Sequence, residues 1–409
     1  MQNVVGVAAP VVAHEVDAPE LPHATDRRLV SLDAFRGLTI AAMILVTDPG
    51  TYSAVYWPLL HARWDGVTPT DMIFPSFLVI SGVAMTLSFG SRLPGGKSRG
   101  QLLLHAFRRS CILFLLGLLI NGFPEYQLQT IRIPGILQRI AVCYFAGSAL
   151  YLGFGGALRR GRRSAAIAGM IAILLAGYWA LLKLVPVPGF GAGRLDSYGS
   201  LPAYVDRSVL SIAHLWPWGL TLGHGVTFDP EGLLSTLPAF ATFLIGVLAG
   251  EWLATDRVRI KKFAWLTAAG LALMFIGLAL NPLLPLNKKI WTSTFAVFSG
   301  GIALVLFSAL YFVLDVKRWR AWVAPALVFG TNAIFAFALS SVITTLADRI
   351  HVSVGASGSR VSLHQWGYQQ LFATWLPPVN ASLAYAVMIV SLNLVLVYPL
   401  YRKRIFLRI

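Results

Sequence analysis

One stretch of this apolar chain concentrates side chains that could perform acid–base chemistry. His61 lies in a polar, aromatic loop between two apolar segments, and Asp71 opens the second of them. Ionisable residues at membrane depth are costly, so they are functional candidates. An imidazole acts as general base or nucleophile when a carboxylate fixes its tautomer, and Asp71 is the best-placed acid for this role. The plainer alternatives are an interfacial histidine and an acid that only caps its helix.

Four arginines occur inside apolar segments: Arg36, Arg108, Arg109 and Arg139. A guanidinium fork matches phosphate or carboxylate groups, so these residues are candidate anion ligands. Snorkelling to the interface, and neutralisation of Arg36 by Asp33 three residues earlier, are the alternatives. Adjacent helix residues point about 100° apart. We therefore expect only one of Arg108 and Arg109 to face the inside of a helix bundle.

Two short runs carry charges of opposite sign. Asp229 and Glu231 lie in the run 228–239, and Lys288 and Lys289 lie in the run 287–295. In so acid-poor a chain we predict that these lysines pair with these acids. The residues expected around a substrate are Trp64, Asp229, Glu231, Lys289 and Trp291. No CxxC, HExxH or P-loop spacing occurs, so the sequence predicts no metal site.

The composition indicates a membrane protein. The 409 residues are 56% hydrophobic and only 12% charged, and the mean hydropathy is +0.69. A soluble protein of this length needs a more charged surface, so much of the apolar surface must face lipid. The formal net charge of +16 fits cytoplasmic loops rather than nucleic-acid binding, because no basic run is interleaved with aromatic residues.

Ten segments approach the length of about 20 apolar residues that spans a bilayer. They lie near 30–47, 71–90, 102–121, 134–154, 164–184, 233–253, 262–281, 292–313, 323–346 and 381–401. The sequence therefore predicts an all-α polytopic membrane protein, with a mobile cytoplasmic tail over 1–28 and one transmembrane domain over 29–409. The Lys and Arg bias of alternate loops predicts that both termini are cytoplasmic and that His61 is on the outer side. Residues 363–376 are predicted to form a short interfacial helix.

Several runs resemble the heparan-α-glucosaminide N-acetyltransferase family and its shorter bacterial relatives. These runs are SLDAFRG (31–37), LLHARWDGVTPTDMIFPSF (59–77), ILQRIAVCY (136–144), FDPEGLLSTLPA (228–239), NKKIWTSTF (287–295) and FGTNAIFAF (329–337). The resemblance implies a ten-helix acyltransferase core that transfers acetyl from cytosolic acetyl-CoA to an amino sugar across the membrane. It implies that His61 is the catalytic histidine, in a bacterial relative without the N-terminal lumenal domain. The family asparagine after the first core helix is absent, so Thr47 or Asp48 would stand in its place.

The leading hypothesis is a transmembrane amino-sugar acetyltransferase in a bacterial inner membrane, with the lipid bilayer and an amino-sugar or glycan acceptor as partners. His61 acts as base or as acetyl carrier, and Arg36, Arg108, Arg109 and Arg139 are the expected ligands of the CoA phosphates. An N-acetylglucosamine-type sugar transporter without chemistry is the first alternative. An O-acetyltransferase of an envelope glycan is the second. The sequence leaves a homodimer open.

Overall fold

The computed structural model describes residues 29–354 and 359–407. Nine helices in this part of the chain are long and apolar enough to cross a membrane on their own. They are α1 Val30–Thr47, α2 Ile73–Arg92, α3 Arg99–Gly122, α4 Ile136–Ala157, α5 Arg160–Leu184, α7 Thr236–Leu253, α8 Arg259–Ala279, α9 Ser293–Tyr311 and α13 Pro378–Arg402. The prediction of an all-α polytopic bundle is confirmed. The predicted tail over 1–28 lies outside the described residues.

The remaining elements connect or complete the bundle. They are α6 Leu201–Leu210, α10 Ala324–Thr331, α11 Ala333–Arg349 and α12 Leu363–Tyr368. Two small antiparallel hairpins pair β1 Leu220–Thr221 with β2 Gly225–Val226 and β3 His351–Val354 with β4 Ser359–Ser362. The predicted interfacial segment 363–376 forms α12 and a following wide turn over Gln369–Ala373.

The segment predicted near 323–346 is apolar enough to span, but it is bent, because α10 and α11 meet at an angle of 87°. The break lies at Asn332, whose side chain forms hydrogen bonds to the backbone of residues that follow α13. Its amide nitrogen donates to the carbonyl of Ile405 at 3.1 Å, and its amide oxygen accepts from the backbone N–H of Leu407 at 2.9 Å. The described residues thus contain nine spanning helices, or ten if this bent pair crosses the membrane as one broken span.

Glycines allow the helix pairs that shape the bundle interior to approach closely. A Cβ added to Gly37 on α1 would lie 1.7 Å from the backbone oxygen of Ala326 on α10. A Cβ on Gly330 would lie 1.8 Å from the backbone oxygen of Asp33. Small residues let helix backbones pack closely in lipid, where no hydrophobic driving force brings helices together. The contact sets the start of α1 against the break between α10 and α11.

The helices α5 and α8 lie at the outside of the bundle. Only 17% of the most apolar window of each helix is buried, and large apolar side chains such as Ile173 and Phe275 are exposed. By contrast, α2 and α7 are 72% buried over the same length. Exposed apolar faces on spanning helices are suited to lipid contact. Together these faces support a multi-pass membrane protein.

Candidate active site

A tight turn before α2 joins His61 to Asp71. Thr68 and Asp71 form a capping box over the turn Pro69–Met72, so the predicted helix-capping role of Asp71 is present. The same carboxylate also reaches the imidazole, with 2.7 Å between its Oδ1 and the Nδ1 of His61. Its Oδ2 accepts from the backbone N–H groups of Ala62 and Thr68 at 3.1 and 2.9 Å. The carboxylate is therefore fixed before any substrate binds.

This pairing sets the tautomer of His61. A carboxylate only accepts hydrogen bonds, so Nδ1 of the ring carries the proton that it donates to Asp71. The lone pair of the neutral ring is then on Nε2. The side chain of His61 is 42% exposed, whereas that of Asp71 is 1% exposed. The arrangement is a buried acid that orients an accessible base.

Lys288 contacts the same imidazole from a distant loop. Its Nζ lies 3.2 Å from Nδ1 and 3.3 Å from Nε2 of His61, and 4.0 Å from Oδ1 of Asp71. Burial and the charge of Lys288 lower the pKa of His61, although Asp71 acts in the opposite direction. Burial also lowers the pKa of Lys288. His61 is therefore held in the neutral form that accepts a proton.

Backbone and amide contacts fix the Lys288 loop against the His61 loop. The N–H of Gly66 donates to the carbonyl of Leu286 at 2.8 Å. The side-chain amide of Asn287 donates to Asp65 at 3.0 Å. The two loops therefore form one unit, although the sequence gives no signal that places Lys288 beside His61.

Arg132 pairs with Asp229 and Glu231, in place of the two lysines that the sequence predicted as their partners. Its Nε and one terminal nitrogen donate to the two oxygens of Asp229 at 2.8 and 2.6 Å, and that terminal nitrogen also lies 2.6 Å from Glu231. The planar fork binds a carboxylate at two points, which an ammonium group does not. Burial opposes the ionisation of Glu231, but the charges of Arg132, Arg139 and Lys288 together outweigh burial and lower the pKa of Glu231.

Arg139 and Trp291 lie in the interior at the His61 end of the bundle. Arg139 is 2% exposed and donates to the backbone oxygen of Gly232 at 3.0 Å and to Ser235 Oγ at 2.5 Å. Its guanidinium lies 5.2 Å from the ring centre of Trp291, which has no exposed surface. The structure thus places Arg139 apart from the other candidate phosphate ligands, and it leaves Trp291 no surface for a substrate.

Trp64 and Lys289 share an aromatic neighbour on the same side. Trp64 donates to the backbone oxygen of Leu195 at 2.9 Å and packs edge-on against Phe228, with 5.1 Å between ring centres. The ammonium of Lys289 lies 5.7 Å from the Phe228 ring and 5.5 Å from the Trp216 ring. Aromatic faces with a nearby cation provide both apolar and polar contact to a ligand.

A cavity of about 300 Å³ opens where α1, α3, α4 and α11 meet near the His61 end, and we name it the proximal cavity. Its wall includes Thr47 and Asp48, the two candidates for the missing asparagine. Asp48 accepts hydrogen bonds from Thr344 at 2.6 Å and Ser340 at 3.0 Å, and burial raises its pKa. The Thr47 hydroxyl donates to the backbone oxygen of Met43 at 2.8 Å. Both side chains are already engaged within the protein.

A second cavity of about 460 Å³ lies at the opposite end of the bundle, and we name it the distal cavity. The 20 residues of α2 separate the two ends by about 30 Å, because Asp71 precedes the helix and Arg92 ends it. The basic side chains in the wall are Arg36, Arg92, His105 and Arg109, with one acid, Asp33. Leu137 belongs to the walls of both cavities.

The neighbouring arginines of α3 point to different sides of the helix, as the rotation of about 100° between adjacent helix residues requires. Arg109 lines the distal cavity with its guanidinium 4.7 Å from the Tyr144 ring, whereas Arg108 is exposed on the outside of the helix. The Nε of Arg109 has no hydrogen-bond partner among the described residues. Arg36 lies 3.3 Å from Asp33, so the neutralising pair considered from the sequence is present. Arg36 and Arg109 are thus brought together, and Arg108 is not.

Comparison with known proteins identifies the family. Residues 28–284 match the family model for "Heparan-alpha-glucosaminide N-acetyltransferase, catalytic". The heparan-alpha-glucosaminide N-acetyltransferase of Homo sapiens is 32% identical in an alignment of 355 residues that covers 76% of this chain and 52% of the human protein. The Mus musculus enzyme is 30% identical over 360 residues, 78% of this chain and 54% of that protein. The chain thus spans about half the length of these curated relatives. Since the family match covers more than half of its 409 residues, the chain belongs to the heparan-alpha-glucosaminide N-acetyltransferase catalytic family, as the sequence resemblance predicted.

Proposed function

We propose that this chain is a transmembrane acetyltransferase that moves the acetyl group of acetyl-CoA to the amine of a glucosamine-type sugar. The observation that carries the proposal is a pair of cavities with Leu137 in both walls, one of them basic and the other at the end of the bundle that holds the His61–Asp71 pair. The family relatives are named as N-acetyltransferases. A donor from one side and an acceptor from the other would meet between the cavities.

The distal cavity suits the nucleotide part of CoA. CoA carries several phosphate charges, and a phosphate buried without partners is costly. Arg36, Arg92 and Arg109 face the cavity, and the Arg109 guanidinium retains an unpartnered N–H. Guanidinium groups bind phosphate oxygens at two points. The flexible arm of the donor would then extend past Leu137 toward the proximal cavity.

We propose that His61 acts as the general base. Its Nε2 takes a proton from the amine as the amine nitrogen bonds to the thioester carbon. The carbon–sulfur bond then breaks with its electron pair on sulfur, and the proton passes to that sulfur to give the CoA thiol. Support comes from the tautomer that Asp71 fixes and from the lowered pKa of His61, which keep the base neutral.

The direct test uses purified protein in nanodiscs, acetyl-CoA labelled in the acetyl group, and a panel of amino and neutral sugars. We expect label on glucosamine-type sugars with the wild type and with His351→Ala, a matched exposed histidine, and none with His61→Ala. Without an acceptor we expect no stable label on the protein. Stable label that His61→Ala lacks would assign the acetyl-carrier role instead. Label on neutral sugars alone would assign O-acetylation, and no transfer to any sugar would overturn the proposal.

A sugar permease is the second candidate, and the helix break at Asn332 favours it. Broken helices at a cavity are a feature of transporter binding sites, and Thr331 and Ala333 beside the break line the distal cavity. Two measurements separate the candidates. We expect calorimetry to detect CoA binding and proteoliposomes to take up no labelled N-acetylglucosamine. Uptake without CoA binding would replace the enzyme by the transporter.

We propose that the protein lies in a bacterial inner membrane with the distal cavity on the cytoplasmic side. The proposal rests on basic residues such as Arg92, Lys97 and Arg99 at that end of the bundle. Cysteine placed at Ser53, in the His61 loop, is expected to react with an impermeant maleimide in spheroplasts. Cysteine placed at Lys97 is expected to react only after lysis. The reverse pattern would invert the orientation.

A further inference from the structure

One side-chain amide in the wall of the proximal cavity lacks a hydrogen-bond partner in the described part of the protein. Gln138, the third residue of α4, is 4% exposed and lines this cavity. Its Nε2 is buried and has no hydrogen-bond partner among the residues that the structure describes. Buried amide donors are almost always paired, since an unpaired one loses its bonds to water without replacement. An exception in a cavity wall indicates a ligand that supplies the acceptor.

The backbone around Gln138 makes room for this amide. A Cβ on Gly117 of α3 would lie 2.3 Å from Oε1 and 2.9 Å from Nε2 of Gln138. A Cβ on Gly135 would lie 2.6 Å from the same Oε1. Two glycines therefore leave the space that the amide fills. The terminal torsion of glutamine is broad, so a turn about it exchanges the oxygen and nitrogen positions and presents the N–H to the cavity.

The start of α4 and the start of α2, which follows Asp71, contact the same aromatic ring. Phe74, three residues after Asp71, packs edge-on against Trp291 with 5.3 Å between ring centres. The guanidinium of Arg139, next to Gln138 in sequence, lies 5.2 Å from the same Trp291 ring. Arg139 is not part of the proximal cavity wall, whereas Gln138 and Leu137 are. Trp291 thus contacts a residue close in sequence to Asp71 and a residue next to Gln138, and the amide of Gln138 itself belongs to the cavity wall that includes the shared residue Leu137.

We propose that Gln138 is a catalytic residue that donates a hydrogen bond from Nε2 to the carbonyl oxygen of the acetyl thioester. This inference rests on the proposed acetyltransferase function. As the amine nitrogen bonds to the carbonyl carbon, the π electrons move to oxygen, and the developing anion gains the donor that the folded protein leaves unused. The carbonyl re-forms when the carbon–sulfur bond breaks and its electron pair leaves on sulfur. Thr47 and Asp48 do not fill this role, because the Thr47 proton is bonded to Met43 and Asp48 accepts from Ser340 and Thr344.

The test compares Gln138→Glu and Gln138→Ala with the wild type in the labelled acetyl-transfer assay. The glutamate has the same shape, and kcat is compared at a pH at which its carboxyl is ionised and has no donor, because burial raises the pKa of a carboxyl in this wall. Loss of one oxyanion donor lowers kcat about 100- to 1000-fold. We expect such a fall in kcat, with the KM for acetyl-CoA and the melting temperature close to wild type. Gln127→Ala, an exposed glutamine on the 122–136 connection, is the matched control and is expected to leave kcat unchanged.

A double-substitution cycle with Gly117 keeps the inference testable if a Gln138 variant folds poorly. Gly117→Ala alone displaces the amide and is expected to lower kcat at least tenfold. In Gln138→Ala the clash is gone, so adding Gly117→Ala is expected to lower kcat no further. Additive losses, a wild-type kcat in Gln138→Glu, or an effect on KM alone would overturn the assignment. An inactive wild type would overturn the proposed function together with it, whereas an active wild type with an unaffected Gln138→Glu overturns the inference alone.

Discussion

At the scale of single residues, the two ends of the bundle hold different charges: a histidine kept neutral at one end, and a cluster of arginines with a single acid at the other. His61 is oriented by Asp71 and approached by Lys288. In the distal cavity, Arg109 keeps an unpartnered N–H while Arg36 is paired with Asp33. Charge is therefore arranged for two different ligands at two ends of the bundle.

Lys288 is expected to set the pH range of activity. The pKa of His61 is lowered first by burial and next by Lys288, with Lys289 a smaller contributor of the same sign. Lys288→Met removes one of the positive charges that lower the pKa of His61, so this pKa rises. Since only the neutral ring accepts a proton, the acidic limb of kcat/KM moves to higher pH, by about one pH unit. Lys289→Met is the comparison variant and is expected to shift the limb less; an unmoved limb in Lys288→Met would contradict this role.

Arg109 and Arg108 offer a matched pair for the donor site. A hydrogen bond to a charged partner contributes about 1.5–3 kcal/mol, which corresponds to about 10- to 100-fold in affinity. Arg109→Gln is therefore expected to raise the KM for acetyl-CoA by that factor with little change in kcat. Arg108→Gln, on the exposed side of the same helix, is expected to leave both constants near wild type. Equal behaviour of the two variants in steady-state kinetics would place the phosphates elsewhere.

At the scale of elements, the break between α10 and α11 is joined to the segment that follows α13. Asn332 bonds to Ile405 and Leu407 through both ends of its amide. Phe406 and Leu407 are part of the distal cavity wall. A side chain at a helix break thus holds a chain segment against the proposed donor site.

Asn332→Ala removes both bonds to that segment. Each is a neutral hydrogen bond with a net contribution of about 1 kcal/mol, so the segment leaves the cavity wall in part of the molecules. We expect the KM for acetyl-CoA to rise about tenfold, because the binding-competent state is less populated. Ser391→Ala removes an exposed bond within α13 and serves as the control. An unchanged or lower KM would show that the segment does not support the site.

At the scale of the whole molecule, two cavities that share Leu137 follow one another through the bundle. The distal cavity is basic, and the proximal cavity joins Asp48, Gln138 and Arg132. Arg132 also holds Glu231, whose charge acts on Lys288 beside the base. In the proposed function, a donor and an acceptor would meet between the two cavities without either crossing the bilayer completely.

Leu137 is expected to be the narrowest point of this path. Leu137→Trp enlarges the side chain that both cavities share, so it hinders the acyl end of the donor while the arginines remain in place. We expect kcat to fall about 100-fold, since small displacements of reacting groups have effects of this size. Calorimetry is expected to give a Kd for free CoA within about threefold of wild type. Leu104→Trp, on an exposed position of α3, is the control; a normal kcat in Leu137→Trp would exclude a path past this residue.

The sequence by itself determined the membrane class, the approximate spans and the dyad. Apolar length alone locates spanning helices, because a bilayer imposes a minimum length on them. The sequence also indicated Asp71 as the acid best placed to orient His61, since the two residues are ten positions apart; the contact itself depends on the fold of the loop, whose turn is closed by a capping box. The opposite orientations of Arg108 and Arg109 follow from helix geometry in the same way.

Tertiary structure alone decided which distant charges meet. Arg132 pairs with both acids that the sequence predicted as partners of Lys288 and Lys289, and Lys288 lies against His61 instead. The break at Asn332 depends on its bonds to backbone after α13, and the shared position of Leu137 depends on how four helices pack. Hydropathy and the spacing of residues in the sequence predict where a residue lies along its own helix. They do not record the rotation and crossing of one helix against another, and it is this packing that brings these groups together.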